Sequence, residues 1–456
     1  MTRAAVDDAQ PTSSSQPNAE NRLRRRHLLT RLTLWAVAVV LPLPLVAAYG
    51  SQAMGPLVVR QAVALGIIAY TWWLLAIVLS LRWRWLERQV GLASIYGLHG
   101  MLGLAALVLA WLHQRTTYGA DPLGARLGTW AWYLSITTVS LAVFFLSGWI
   151  VDHVPGAARL RSWLERLLPH GLGVWLHRIN LVIVVMVLVH AHILVRLRGG
   201  YVGFLLLLDV VTAAVLIAWA WWAWRRRRPR ATVTVNEGLN ADLRRLVLAP
   251  DTPMSRLEPG DVIFIKVVPR SWSAALARLW RQGVPGDWHP FSVTDADPER
   301  LSFLIRQLGD FTRSLSELPV GARVAVQGPY GRFGRIAEAG GDRPLVLVGM
   351  GAGNAPLLSM IETYARRRPV HLLWSVRPAD REAATALVAP YRDAARVTVQ
   401  ERRFTEDDLT RILQDREKAL GQFFIVGPPR AVIAMRRTLH RVGIPRGHLH
   451  DERLTM

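Results

Sequence analysis

The chain has 456 residues, is 51% hydrophobic and carries a formal charge of +22 with no cysteine. The absence of cysteine excludes disulfides, thiolate-ligated iron–sulfur clusters, thiolate haem and covalently attached haem. Lys266 and Lys418 are the only lysines, and much of the arginine flanks apolar runs, as in "NRLRRRH" (21–27), "LRWRW" (81–85) and "WRRRRPR" (224–230); basic flanks of membrane helices explain this charge, and nucleic-acid binding is set aside.

Residues 1–27 read as a basic, disordered N-terminal tail whose first part is rich in Ser, Pro, Gln and Asp. Apolar runs of spanning length follow near 28–50, 57–80, 91–113, 130–151, 174–195 and 201–224. The loops after the second and fourth runs are basic, as is the segment after the sixth, and "GSQAMGP" after the first is uncharged. The positive-inside rule then places both termini in the cytoplasm, with "RLRGG" (196–200) the one opposing segment. The expectation is an integral protein of a bacterial cell membrane with the lipid bilayer as its partner.

After Arg230 the pattern changes. "ATVTV", "RLVLAP", "DVIFIKVV", "RLSFLIRQL" and "ARVAVQG" predict short antiparallel strands, a barrel over 231–340. From 341 to 456, "PLVLVG", "VHLLWSV", "RVTVQ" and "QFFIVG" alternate with helical segments, as in a nucleotide-binding α/β domain.

Histidines inside apolar spans are costly, and four of them carry the functional reading. Span 3 holds His99 and His113, fourteen residues apart; span 5 holds His177 and His190, thirteen apart, with His192 nearby. At ~1.5 Å per residue each pair is ~20 Å apart along its helix. Spans 3 and 5 run in the same direction, so His99 can meet His177 at one depth and His113 a second histidine at another. Each pair then ligates one haem iron through neutral imidazole. Gly97, Gly100 and Gly103 leave room for a flat macrocycle. At ~100° per residue, His190 lies roughly 140° from His177 and His192 roughly 60°, so ideal geometry favours His192 unless the helix bends.

In the second half, "GDWHPFSV" (286–293), "FLIRQLGDFTRSL" and "VQGPYGRFG" (326–334) precede "VLVGMGAGNAPLLSM" (346–360), a glycine turn between strand and helix. Such a turn lets backbone N–H groups approach a pyrophosphate. These motifs, in this order, resemble the NADPH oxidase and ferric reductase flavocytochromes over residues 28–456. The resemblance implies a six-helix transmembrane haem bundle (28–225) followed by a ferredoxin-reductase-like module, an antiparallel β-barrel FAD domain (231–340) plus an α/β NAD(P)H-binding domain (341–456). It favours His190 over His192 as the fourth haem ligand. It implies FAD contacts at His289, Pro290, Phe291, Ser292 and Val293, phosphate contacts at Arg306 and Thr312, and a second flavin contact at Gly328 and Gly331. NADPH contacts fall at Gly349, Gly351, Gly353, Pro356, Gly427 and Pro428, with Arg377 placed to meet a 2′-phosphate. Two positions depart from the family pattern: Val426 replaces a cysteine, and Leu454 stands where an aromatic residue often covers the flavin. Arg82, Arg84 and Arg178 are candidates for inner haem propionates, Arg60, Arg115 and Arg196 for outer ones. Arg60 is also a candidate for the outer acceptor site.

The activity so implied is electron transfer from cytoplasmic NADPH through FAD and two b-type haems to an outer acceptor. Dioxygen, giving superoxide, is favoured over a ferric chelate because the outer segments carry no metal-ligand cluster. An electron-transfer subunit serving a partner protein stays open, although no protein partner is identifiable. A histidine-lined metal transporter fits less well, since spans 3 and 5 lack carboxylates between their histidines.

Overall fold

The computed structural model describes residues 16–117, 121–145, 156, 160, 170–196, 201–226, 228, 230–267, 288–307, 309–351 and 354–453. Six helices in it are long and apolar enough to cross a membrane, at 21–50, 57–79, 92–116, 122–145, 173–194 and 202–225. In chain order the membrane half comprises α1 (Gln16–Val40), α2 (Leu43–Gly50), α3 (Leu57–Leu79), α4 (Arg84–Val90), α5 (Leu92–Thr116), α6 (Pro122–Phe145), α7 (His170–Arg178), α8 (Asn180–Arg196) and α9 (Val202–Arg225). Pro42 and Pro44 split the first span into α1 and α2, as a ring without an N–H donor must. Residues such as Leu32, Val58, Leu104, Val108, Val182 and Ile217 face outward, which suits lipid but not water. Inside the bundle, the Tyr70 hydroxyl meets Thr212 at 2.9 Å and the carbonyl of Val184 at 3.4 Å, joining spans 2, 5 and 6.

Three sequence expectations need correction here. The tail is helical from Gln16, because "NAENRLRRR" is rich in helix formers and gains tertiary partners: Leu23 packs on the core of the α/β domain, and Arg24 bonds Gly447. Span 4 begins at Pro122, not 130. Asp121 accepts the Gly124 amide, starting the helix in a segment whose arginine and glycines hid it. Span 5 is broken, with Ile179 in neither α7 nor α8.

The second half is a ferredoxin-reductase-like FAD/NAD-binding module. Strands β1 (Ala231–Gly238), β2 (Leu243–Pro250), β3 (Val262–Val267), β4 (His289–Ser292), β5 (Leu301–Arg306) and β6 (Arg323–Tyr330) form an antiparallel sheet ordered β4-β3-β6-β1-β2-β5. A bridge between Val293 and Phe303 brings its two edges together around a core of Val233, Leu248, Ile263, Ile265, Phe303 and Val324. A short helix α10 (Asp310–Ser316) lies between β5 and β6, and α11 (Phe333–Ala339) leads to the second sheet. That sheet is entirely parallel: β7 (Leu345–Met350), β8 (Val370–Ser375), β9 (Arg396–Gln400), β10 (Gln422–Gly427) and β11 (Leu449–Arg453), ordered β11-β10-β7-β8-β9. Its three inner strands are buried throughout, the signature of a sheet covered on both faces. The covering helices include α12 (Ala355–Tyr364), α13 (Arg381–Val388), α14 (Glu406–Ile412), α15 (Asp415–Leu420) and α16 (Pro429–Arg441). The edge strand β11 escapes sequence reading, since "LHDER" carries no apolar run.

Candidate functional site

Spans 3 and 5 bring two histidine pairs together. The rings of His99 and His177 have centres 5.8 Å apart, and those of His113 and His190 6.2 Å. An imidazole centre lies about 1 Å from its Nε2 and a metal–nitrogen bond is about 2 Å, so two rings ligating one ion from opposite sides have centres about 6 Å apart. Backbone carbonyls fix three of the four rings. His99 Nδ1 donates to Ala76 O at 2.9 Å, His113 Nδ1 to Ala62 O at 2.9 Å and His190 Nδ1 to Gly124 O at 2.7 Å. A carbonyl only accepts, so each Nδ1 carries the proton and each Nε2 keeps its lone pair. His177 Nδ1 is buried without a partner among the described residues. A Cβ added at Gly97, Gly100 or Gly103 meets no atom within 4 Å, whereas one at Gly66 or Gly128 would press on the His113 or His190 ring at 3.0 and 2.7 Å. The first set borders open space on span 3; the second, missed in the sequence, makes room for the rings themselves. These residues fit a planar, bis-histidine metal group.

His192 goes elsewhere, pairing with Asp209 on span 6 at 3.3 Å. Arg60 donates to Gly50 O, and its Nε is buried with no partner among the described residues, two positions from the Ala62 carbonyl that holds His113. Arg115 stacks on Trp111. Arg82 and Arg84 turn to the reductase half: Arg82 covers the Phe264 ring at 4.2 Å and Arg84 donates to Gly328 O. The side chain of Arg196 lies outside the described residues, as do Gly353 and Leu454.

On the barrel, β4 presents His289, Pro290, Phe291 and Ser292, with Val293 buried at its end. His289 stacks on Phe311 at 3.7 Å, and Phe291 lies parallel to the same ring at 6.1 Å. Thr312 bonds back to Gly309 at the start of α10. Arg306, at the end of β5, sends one guanidinium nitrogen to Asp380 at 2.6 Å; its second, Nη1, is buried and unpartnered among the described residues. An orphaned buried cationic donor beside an aromatic wall fits the phosphate of a flavin nucleotide. Gly328 and Gly331 close the corner between β6 and β3. Gly331 has φ +148°, and a Cβ there would collide with the Asp261 carboxylate, so packing already demands glycine.

In the parallel sheet the chain leaves β7 toward β8 on one side and returns to β10 on the other, so the switch point lies between β7 and β10. Ligands bind outside the carboxyl ends of strands at such a point. Gly349, Gly351 and Pro356 stand at the end of β7 and the start of α12, while Gly427 and Pro428 stand at the end of β10. Buried Asn354 occupies the N-cap position of α12 without a side-chain capping bond, and both its side-chain amide atoms are unpartnered among the described residues. Arg377 is 54% exposed and bonds Asp380 at 2.9 Å and Asp242 at 3.3 Å. Arg306 and Arg377 therefore share the Asp380 carboxylate, a link that sequence spacing does not reveal.

The two halves join through α4. Arg88 bonds Glu258 at 3.2 Å and lies 3.7 Å from Asp261. The Gly331 amide donates to Glu87 at 3.4 Å, Tyr330 to Arg82 O at 3.2 Å, and Arg332 to Val90 O at 3.3 Å. Burial pushes the Glu87 carboxyl up to about 7 and that of Asp261 up to about 8, against the pull of neighbouring arginines.

Residues 230–333 match the FAD-binding domain family. The chain is 34% identical over 143 residues to the reductase component of propane 2-monooxygenase from Gordonia sp. (strain TY-5), covering 28% of this chain and 41% of that one. It is 34% identical over 91 residues to a probable electron transfer subunit of dihydroorotate dehydrogenase B (NAD(+)) from Methanocaldococcus jannaschii, covering 20% and 32%. A third relative, the propane 2-monooxygenase reductase component of Rhodococcus jostii, is 26% identical over 235 residues, covering 45% and 63%. The chain thus spans less than two thirds of each. Among solved structures, a cytochrome P450 reductase of Amycolatopsis superposes with a TM-score of 0.40 at 26% identity, covering 50% of this chain and 70% of that one. The C-terminal half is thus a ferredoxin-reductase-like module with an FAD-binding domain at residues 230–333, and it stands on a bundle of six apolar helices.

Proposed function

We propose that the chain moves electrons across a membrane, from NADPH on the inner side through FAD and two b-type haems to dioxygen outside. The observation that carries this is the pair of histidine couples, matched in separation, at two depths on the same two spans. FAD, when bound, accepts a hydride and gives up electrons singly, and each haem iron carries one electron at a time. The protein supplies the rest. Gly349, Gly351, Pro356, Gly427 and Pro428 would offer backbone to NADPH at the switch point, Gly353 belongs to the same proposed set, and Arg377 would meet its 2′-phosphate. His289, Pro290, Phe291, Ser292 and Val293 wall the flavin; Arg306, Thr312, Gly328 and Gly331 complete its site. His99 and His177 hold the inner haem, His113 and His190 the outer one. The reductase half docks on α4, at the end of the bundle that carries His99 and His177, which supports electron entry at that pair. The basic flanks make that side cytoplasmic. Arg60, a half-buried cation two positions from the Ala62 carbonyl that holds His113, supports dioxygen as acceptor because it would stabilise negative charge developing there. The stoichiometry is NADPH + 2 O₂ → NADP⁺ + H⁺ + 2 O₂•⁻.

Haem-replete expression should give a dithionite-reduced minus oxidised spectrum of two b-type haems, extractable by acid acetone. His99→Ala or His177→Ala removes one, His113→Ala the other. NADPH-driven cytochrome c reduction in membranes should be sensitive to superoxide dismutase. NADPH consumption that begins only on adding ferric chelate would make the chain a ferric reductase, and a missing Soret band would end the haem reading.

A further inference from the structure

Span 5 poses a geometric problem. At about 100° per residue, thirteen residues of unbroken helix leave His177 and His190 roughly 140° apart, yet both rings face span 3. Span 3 has no such problem: fourteen residues return His113 to within roughly 40° of His99, and α5 is continuous from Leu92 to Thr116. The break at Ile179 resolves span 5. Ile179 N bonds Leu176 O in a tight turn, and Val182 and Ile183 restart the helix by bonding Ile179 O. Neither proline nor glycine lies in 174–195, so composition does not cause the break. A side chain does. Asn180, 8% exposed, sends Nδ2 to the carbonyl of His177 at 2.7 Å and accepts from Thr138 on span 4 at 3.2 Å. Backbone freed from a helix inside a membrane must be satisfied by neighbours, and an inserted side chain is one of the few causes of a sharp kink.

We infer that Asn180, held by Thr138, is the positioning residue that sets the angular phase between His177 and His190. It grips the backbone of the ligand residue itself and anchors it to a third helix. This inference rests on the haem reading above.

The test uses full-length protein in detergent, expressed with haem, comparing wild type with Asn180→Leu, Thr138→Val and Thr138→Ser. Haem stoichiometry, the low-spin electron paramagnetic resonance spectrum and the carbon monoxide difference spectrum are read. Wild type should carry two six-coordinate haems and ignore carbon monoxide. Asn180→Leu should convert the inner haem to a carbon monoxide-reactive form or lose it, leaving one of two unaltered; Thr138→Ser should match wild type and Thr138→Val should not. NADPH reduction of the flavin, on protein eluting as a single species, shows that each variant is folded. If Asn180→Leu does not accumulate, the Thr138 pair decides. Haem-replete wild type alongside an Asn180→Leu or Thr138→Val variant with unchanged spectra overturns this inference alone. Wild type without haem overturns the proposed function and this inference together.

Discussion

Arg377 answers to two carboxylates before any nucleotide arrives. Asp380 holds it from its own domain and Asp242 reaches it from the β1–β2 turn of the barrel. On the proposed reading, a 2′-phosphate would replace weak exposed ion pairs with charge-assisted hydrogen bonds worth about 1.5–3 kcal/mol. Arg377→Ala should raise the KM for NADPH by about tenfold or more and change that for NADH little. Asp242→Asn should lower the KM for NADPH by about twofold, since an exposed pair contributes under about 1 kcal/mol; steady-state kinetics with both nucleotides check the two. His190→Ala should lose the outer haem and His192→Ala keep it, because His192 is turned to Asp209. Pyridine haemochrome assay reads that difference, and the reverse outcome would move the ligand to His192. The spacing of the histidines was visible in the sequence, and the resemblance favoured His190, but ideal helix geometry pointed to His192 and gave no physical reason for the choice. It depends on Asn180 and Thr138, which are 42 residues apart and have no motif. Asp380, Gly66 and Gly128 were hidden for the same reason: their roles exist only once distant segments meet.

At the scale of elements, α4 is the joint. Its two faces are divided between Glu87, which accepts from Gly331, and Arg88, which binds the Glu258 and Asp261 carboxylates. Around it stand Glu452, pushed up to about 7 by burial and the Glu87 charge, and the arginines 332 and 335. The Glu87 and Asp261 carboxyls have folded pKa values above their unfolded ones, so the folded, docked form binds protons more tightly. The stabilisation this gives is full below the ordinary carboxylate range and is lost as pH rises through about 7 to about 8. Thermal stability of the detergent-solubilised protein should therefore fall from pH 6 to pH 8.5. Glu87→Gln, which keeps an acceptor for Gly331 and cannot ionise, should flatten that dependence; an unchanged slope would assign the titration to other groups. Six apolar runs and the alternation of strand and helix announced most elements. The start of α1, the true start of span 4 and β11 did not announce themselves, because each owes its form to partners: Leu23 to the α/β core, Gly124 to Asp121, and β11 to β10.

For the molecule as a whole, the proposed path from nucleotide to outer face would depend on how the reductase half sits on the bundle. Arg88→Ala removes the half-buried bond from α4 to Glu258 of the barrel, and a hydrogen bond to a charged group contributes about 1.5–3 kcal/mol. Haem reduction by NADPH in stopped flow should slow by about tenfold or more, while NADPH-to-ferricyanide activity, which requires only the flavin half, stays near wild type. Equal loss of both would mean that Arg88 stabilises the reductase fold itself. The architecture was readable because each half obeys one strong rule, apolar length in the first and glycine turns between strands in the second. The joint between them was not, since its contacts span up to 423 residues of sequence. That separation also dictates an order of manufacture. Helix α1 leaves the ribosome before the other spans, yet His27 finds Arg332 only after the barrel has been made and Arg24 finds Gly447 only after nearly everything else has. The contact of α1 with the second sheet must therefore wait until translation delivers the residues just before its last strand, although α4 can meet the barrel earlier.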